Sequence, residues 1–180
     1  MYKIAVIGPE STGKSVLTKA LALHYSAPHV DEYARSYVEQ LGRPYTYEDV
    51  CAIARVQVEA ENQIEQKETL SRADTTTTNF VFFDTDLIIT KVWFDYCYKT
   101  VPSFVNQQLS KGFFDLYLLC DTDLPWEPDP VREHGDDREF FFDWYRREIE
   151  QLNKSYVVVQ GRGDDRLQSA IQAIKLHFRL

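Results

Sequence analysis

The chain has 180 residues, of which 44% are hydrophobic and 27% charged, with a formal net charge of −8. This length and balance predict a single globular domain over residues 1–180, and the acidic charge argues against nucleic acid as a partner, because phosphate backbones require basic faces. Three cysteines without a C-x-x-C pair fit a reducing compartment and no structural metal. No stretch approaches the roughly 20 apolar residues that span a bilayer, and no secretory signal is visible, so we expect a cytoplasmic protein without a membrane partner.

Short apolar runs alternate with helical patterns along the chain. The predicted strands are Lys3–Ile7, Pro28–Asp31, Phe80–Asp84, Leu116–Cys120 and Tyr156–Gln160. The predicted helices are Lys14–Tyr25, Glu32–Leu41, Glu48–Leu70, Asp86–Tyr98, Arg138–Asn153 and Asp164–Phe178. Nearly continuous apolar strands are typical of a parallel sheet covered by helices on both faces. The sequence therefore predicts a three-layer α/β fold with a five-stranded parallel sheet, whose ligands bind beyond the carboxyl ends of the strands.

The first predicted strand runs into "GPESTGKS", residues 8–15, which matches G-x-x-x-x-G-K-[ST] in full. Glycines at the two fixed positions let the backbone curl so that successive N–H groups point at phosphate oxygens, and the helix that follows adds its positive N-terminal end. Lys14 can reach the β- and γ-phosphates, and the Ser15 hydroxyl can bind Mg²⁺. The motif predicts a purine nucleoside triphosphate with Mg²⁺, bound by Gly8, Glu10, Ser11, Thr12, Gly13, Lys14 and Ser15.

Acidic residues follow the second predicted strand, in "VDEYAR", residues 30–35. A carboxylate of Asp31 or Glu32 could accept a proton from an attacking hydroxyl or hold a sugar diol. Tyr33 and Arg35 fall on the first helical turn, so Asp31, Tyr33 and Arg35 are candidate substrate-binding residues. The alternative is that acidic residues simply suit a helix N-terminus, with Arg35 as a surface partner.

The third predicted strand ends in "FFDTD", an apolar strand followed by a carboxylate, which is the Walker B pattern. Asp84 is therefore a candidate ligand of the Mg²⁺ shell. Asp86 could either cap the following helix or point to the substrate. Trp93 and Tyr96, one turn apart on that helix, could stack on a flat ring, although aromatic residues at this spacing more often belong to the core.

A stretch rich in proline and charge, residues 120–139, follows the fourth predicted strand. Arg132 and Arg138 flank a turn that contains glycine, which predicts a lid over about 123–138 that brings guanidinium groups to the transferring phosphoryl. The alternative is a solvated loop with paired charges. After the fifth strand, "QGRGDDR" places Gly161 where an adenine ring could pack on backbone, with Arg166 directed toward the base or the phosphates.

The elements "GPESTGKS", "DEYAR", "FFDTD", "DPVRE" and "GRGDDR" together resemble the ribosylnicotinamide kinase domain of the NadR type, a P-loop relative of nucleoside and nucleotide kinases. The resemblance covers essentially the whole chain. It implies ATP·Mg²⁺ as the donor and phosphorylation of nicotinamide riboside on its 5′-hydroxyl to give nicotinamide mononucleotide. Glu32 matches the family's acidic position after the second strand, and Asp84 matches the acidic end of the third.

One departure concerns the acceptor. Members of this kind can read "WEYGR", with a tryptophan that stacks on the nicotinamide ring, and Asp31 stands at that place here. Bifunctional members also carry an adenylyltransferase domain upstream. Because this chain opens directly on the first strand, we do not expect that activity from it.

Two other readings remain open at this point. The acceptor could be another nucleoside or a nucleoside monophosphate, or the chain could be a regulatory ATPase without a small acceptor. A GTPase switch is disfavoured because no D-x-x-G occurs anywhere in the sequence.

Overall fold

The structure is a computed structural model that describes residues 1–70, 80–129 and 135–180. The strands are β1 Tyr2–Ile7, β2 His29–Val30, β3 Phe80–Asp84, β4 Leu116–Cys120 and β5 Tyr156–Val159. The helices are α1 Lys14–His24, α2 Tyr33–Leu41, α3 Tyr47–Leu70, α4 Leu87–Tyr98, α5 Ser103–Ser110, α6 Arg138–Gln151 and α7 Asp164–Phe178.

The five strands form one parallel sheet in the order β2-β3-β1-β4-β5. Strand β1 lies at the centre, with Ile4 opposite Phe82 on one side and Leu116 on the other. Chain direction is the same in all five strands, so their carboxyl ends meet at one edge. The predicted fold class is therefore confirmed, and the loops after β1, β2, β3 and β4 converge where a ligand is expected.

Alternate residues of the central strand belong to two different cores. Ile4 and Val6 pack into the layer formed with α1 and α7, whereas Ala5 and Ile7 pack into the layer formed with α3, α4 and α6. All four side chains are fully buried. This burial on both faces explains why the strands are apolar at nearly every position.

The predicted elements agree with the observed ones to within two residues at each end, and one helix was missed. Helix α5 has eight residues, and it buries Val105 and Leu109, which are one turn apart, together with Gln108. Three apolar residues, two of them adjacent, in a short polar segment are too weak a pattern to identify a helix from sequence. Among the described residues, no helix is long and apolar enough to cross a membrane.

Candidate functional site

The loop after β1 adopts a conformation that requires its two glycines. Gly8 has φ 149°, and a Cβ at this position would lie 2.7 Å from the carbonyl oxygen of Cys120 at the end of β4. Gly13 has φ 75° and immediately precedes α1. Both conformations are accessible to glycine at little cost, so the curled loop at the start of α1 follows directly from the motif.

Side chains inside this loop hold its shape. The Thr12 hydroxyl and the Lys14 ammonium group both donate to the carbonyl oxygen of Pro9, each at 2.8 Å. Thr12 is fully buried, so its side chain shapes the loop. The Ser11 hydroxyl accepts a hydrogen bond from the Glu127 N–H at 3.0 Å, which connects the loop to the first part of the predicted lid.

A cavity of about 300 Å³ opens beside this loop and extends to α3, α4 and α6. Most of the residues predicted to bind the donor or the acceptor line it: Gly8, Glu10, Ser11, Thr12, Gly13, Lys14, Ser15, Glu32, Arg35 and Trp93. The rest of the lining includes the aromatic residues Tyr45, Tyr96, Phe141 and Tyr145 and the polar residues Gln57, Thr85 and Thr90. The cavity thus joins the phosphate-binding loop to a wall that is largely aromatic.

Glu32 lies at the junction between this cavity and a neighbouring groove that also contains Ser15 and Asp84. Burial raises the pKa of the Glu32 carboxyl; the positive charge of Lys14 opposes that rise, and the negative charge of Asp84 adds to it. A carboxylate with a raised pKa is a better proton acceptor.

The other predicted residues of the "DEYAR" segment occupy different environments. The Asp31 side chain is 66% exposed, lies in the groove and forms an ion pair with Lys19 at 3.2 Å, and its Oδ1 atom lies 3.5 Å from Nε2 of His29. Tyr33 is exposed, and its ring packs beside Tyr37 with 5.7 Å between centroids. Neither residue belongs to the described lining of the cavity, so the geometry does not support their predicted role as acceptor contacts.

Arg35 lines both the cavity and the groove, but its guanidinium group is already paired. Its Nη2 atom forms an ion pair with Asp129, and its Nε atom donates to Glu39 at 3.0 Å. Asp129 lies in the first part of the predicted lid, so this ion pair connects that segment to α2.

Asp84 and Ser15 meet at the end of β3. Burial raises the pKa of the Asp84 carboxyl, and the neighbouring Ser15 side chain opposes that rise. The Asp84 Oδ1 atom is buried and has no hydrogen-bond partner among the described residues. A hydroxyl beside a carboxylate with a free oxygen fits Mg²⁺, which usually takes few protein ligands and completes its shell with water and phosphate. No group of three or more His, Cys, Asp or Glu in the described ranges could hold a metal by itself.

Of the two roles considered for Asp86, the structure shows the capping one. Its Oδ1 atom accepts the Ile88 N–H at 3.0 Å at the start of α4, and the residue is only 2% exposed. Burial raises the pKa of this carboxyl to about 7.

Arg166 does not point toward a base or phosphates, contrary to the sequence prediction. It is 4% exposed and lies beneath the phosphate-binding loop, where it donates to protein carbonyl groups. Gly161 donates its N–H to Asp123 Oδ2 at 2.6 Å and is not part of the described cavity lining. Arg138 donates to the carbonyl oxygen of Leu124 at 2.8 Å, and Arg132 lies outside the described residues.

Trp93 and Tyr96 lie between the core and the cavity. They pack against the core layer, and they also line the cavity. The Trp93 ring meets Tyr45 edge to face at 4.7 Å, and Tyr96 meets Phe141 at 5.1 Å. The preference for a core role is therefore confirmed, and stacking on a ligand ring stays a prediction.

Gln57 is the cavity residue that the sequence pattern could have identified. It continues the apolar stripe of α3, which includes Val50, Ile53 and Ala54, yet it is polar. In the structure its side-chain oxygen accepts the Thr90 hydroxyl at 2.6 Å. A polar residue on a mostly apolar helix face is a signal that the face can border a site.

The curled loop between β1 and α1, the Ser15–Asp84 pair and the adjoining cavity define a P-loop nucleotide-binding α/β domain. Residues 3–166 match the model of the AAA domain family AAA_28, and the chain belongs to that family.

Individual relatives narrow this class. The chain is 25% identical over 181 residues to the trifunctional NAD biosynthesis/regulator protein NadR of Salmonella typhimurium, and equally to that of Escherichia coli. Each alignment covers 96% of this chain and 42% of the relative, so the chain spans about two fifths of the length of these curated relatives.

Solved structures agree on the fold. A crystal structure of NadR protein in complex with NR matches with a TM-score of 0.69 at 26% identity, covering 99% of this chain and 51% of that one. A second NadR structure, in complex with NAD and AMP-PNP, matches with a TM-score of 0.67 at 25% identity, covering 99% and 50%. Thymidylate kinase from Ehrlichia chaffeensis has the same fold, with a TM-score of 0.66 at 14% identity and 97% of both chains covered.

Proposed function

We propose that this chain is an ATP-dependent kinase that phosphorylates the 5′-hydroxyl of nicotinamide riboside. The observation that carries the proposal is that the P-loop, the Glu32 carboxylate and several aromatic side chains line the same cavity. A donor site, a base and a surface for a flat ring are the three parts that a nucleoside kinase needs. The similarity to NadR, and to its complex with NR, supports this choice of acceptor.

The donor side consists of the P-loop with Lys14, Ser15 and Asp84. Backbone N–H groups of residues 8–15 would hold the phosphate chain of ATP, with the Lys14 ammonium group at the transferring phosphoryl. Ser15 and Asp84 would hold Mg²⁺, which neutralises charge on the phosphates when it is bound. In the structure the ammonium group of Lys14 is bound to the Pro9 carbonyl oxygen, an interaction that a phosphate oxygen would replace.

The base is assigned to Glu32 in this proposal. It accepts the proton of the acceptor hydroxyl as the oxygen attacks the phosphoryl group. Its position between the cavity and the Ser15–Asp84 pair supports this assignment. Asp31 is the alternative base, but its side chain is directed to Lys19 and His29.

The acceptor side is the aromatic wall formed by Tyr45, Trp93, Tyr96 and Tyr145. A pyridinium ring carries a positive charge, and aromatic faces attract cations as well as stack on flat rings. These residues would supply the stacking surface in place of the tryptophan that NadR-type sequences can carry where Asp31 stands here. Gln57 and Thr90 add polar groups to the same wall.

The predicted lid arginines, Arg132 and Arg138, remain part of the proposal as groups that neutralise the transferring phosphoryl. Arg138 begins α6, and the Leu124 carbonyl oxygen accepts one of its N–H groups. A lid role requires that this hydrogen bond be exchanged for one to phosphate when ATP binds.

The test is a panel of ATP-consumption assays with nicotinamide riboside, the common nucleosides and their monophosphates, in which the phosphorylated product is identified by mass. The proposal requires ATP consumption equal to nicotinamide mononucleotide formed. Preferred turnover of another nucleoside or a monophosphate would reassign the acceptor. Slow hydrolysis without a phosphorylated product would instead indicate a regulatory ATPase.

A variant pair connects any activity to the P-loop. Lys14→Ala should abolish transfer while the melting temperature stays near that of the wild type. Lys175→Ala, which alters an exposed lysine of α7, is the matched control and should retain activity. Retained activity in Lys14→Ala would contradict the assignment of the donor site.

A further inference from the structure

Arg166 is a buried cation that gathers backbone carbonyl groups from three loops. It lies in the first turn of α7 and is 4% exposed. Its Nη1 atom donates to Val159 at the end of β5, at 2.9 Å. Its Nη2 atom donates to the carbonyl oxygens of Thr12 at 3.1 Å and Asp121 at 3.0 Å.

A carboxylate completes this set of acceptors. Asp123 Oδ1 accepts from Arg166 at 2.9 Å, and Asp123 Oδ2 accepts the Gly161 N–H at 2.6 Å. A buried guanidinium group is tolerated when it is paired with a carboxylate, as it is here. Its two terminal nitrogens hold four oxygen acceptors, whereas its Nε atom has no hydrogen-bond partner among the described residues. The planar guanidinium group suits this arrangement because its N–H groups point in fixed directions, so the acceptors bound to Nη1 and Nη2 are held at fixed angles to one another.

The hydrogen bond to Thr12 has a consequence for the P-loop. The peptide between Thr12 and Gly13 is planar and trans, so its C=O and N–H point in opposite directions. Because Arg166 holds the Thr12 carbonyl oxygen, the Gly13 N–H points away from Arg166. Gly13 lines the cavity, and inward-pointing N–H groups are what bind phosphate oxygens in such a loop.

We propose that Arg166 is a positioning residue for the donor site, which sets the orientation of the Gly13 N–H and ties the P-loop to the ends of β4 and β5. Asp123 holds the guanidinium group in place for this task. Arg166 itself touches neither substrate and acts through the backbone of residues 12 and 13. The inference rests on the proposed function in one respect: it takes the ligand of the P-loop to be ATP.

The test measures nucleotide binding directly. Titration calorimetry with Mg²⁺ and AMP-PNP needs no acceptor and no turnover. Arg166→Lys keeps the positive charge but replaces the fork with one ammonium group, which cannot span acceptors bound to both Nη atoms. Its dissociation constant for AMP-PNP should rise about 10- to 100-fold, because the lysine side chain is shorter than that of arginine and withdraws the charge-assisted hydrogen bond from the Thr12 carbonyl oxygen. Asp123→Asn should weaken binding in the same direction by a smaller factor.

Steady-state kinetics then separate a positioning role from a general loss of structure. In Arg166→Lys the KM for ATP should rise, while the KM for the acceptor stays at the wild-type value. Arg146→Lys is the matched control, since Arg146 pairs with Asp143 at the surface of α6. This control should bind AMP-PNP as the wild type does.

The outcomes are distinct from those of the kinase test. Unchanged AMP-PNP affinity in a folded Arg166→Lys variant, or equal losses for ATP and the acceptor, would overturn the positioning role. If Arg166→Lys fails to fold, the same measurement is made on Asp123→Asn. An AMP-PNP affinity equal to that of the wild type in Asp123→Asn would also overturn the positioning role of Arg166. A wild-type protein that binds AMP-PNP but phosphorylates no riboside would instead refute the proposed function and leave the role of Arg166 standing.

Discussion

Replacing Glu32 by glutamine tests the most specific chemical assignment in the site. The amide keeps the shape of the side chain but accepts no proton at neutral pH. We expect kcat to fall about 10²- to 10⁴-fold with little change in the KM of the acceptor. That loss corresponds to about 3 to 5 kcal/mol of the barrier to phosphoryl transfer.

The pH dependence supplies a second measurement. Burial and the nearby Asp84 charge raise the pKa of Glu32 above the ordinary value of about 4.3. The protonated form cannot act as a base, so wild-type kcat should increase as pH rises through this raised pKa and then level off. The Glu32→Gln variant should lose that acidic limb.

Asp31→Asn is the comparison that separates the two candidate bases. The Asp31 side chain is 66% exposed and lies beside Lys19 and His29. The fall in kcat in Asp31→Asn should therefore be much smaller than the fall in Glu32→Gln. A larger loss in Asp31→Asn would refute the assignment. A raised acceptor KM with unchanged kcat in Glu32→Gln would also refute it and indicate a sugar-binding role.

Three further predictions concern the scaffold. Gly8→Ala would place a Cβ 2.7 Å from the Cys120 carbonyl oxygen, so it should lower the free energy of unfolding by roughly 1 to 3 kcal/mol and weaken AMP-PNP binding, as denaturation and calorimetry would reveal. Phe82→Ala removes a fully buried ring from β3 and should cost about 3 to 5 kcal/mol; a urea midpoint equal to that of the wild type would contradict this. Hydrogen bonds from Arg43 hold the pKa of Asp49 well below its ordinary value. The ionised Asp49 carboxylate therefore contributes fully to the free energy of unfolding above about pH 4, and this contribution is lost as the pH falls further. The difference in melting temperature between wild type and Asp49→Asn should therefore narrow on acidification.

The local features of this chain were readable from its sequence. Strands β3 and β4 were placed at their observed bounds, because a fully buried strand must be apolar at every position. The P-loop was equally clear, because its backbone conformation demands Gly8 and Gly13 at a fixed spacing. The meeting of Ser15 with Asp84 also followed, since parallel strands bring their carboxyl ends to one edge.

The roles of single polar side chains were harder to predict. Asp86 and Glu32 each come shortly after a strand of the sheet, and from the sequence each could either cap the following helix or take part in chemistry. One is a buried cap, and the other faces the cavity. The difference depends on the direction in which each side chain leaves the backbone, which is set by how α2 and α4 pack and not by the residues beside them.

The sequence by itself determined the layered parallel sheet, the phosphate-binding loop and the edge of the sheet where a ligand belongs, since each depends on short-range patterns. Only the tertiary structure decided which residues far apart in the sequence form hydrogen bonds with each other. Arg166 reaches Thr12, 154 positions away, and Thr90 binds Gln57 on a different helix. The physical reason is that a hydrogen bond depends on distance and angle at two atoms, and the positions of those atoms follow from the packing of whole helices against the sheet.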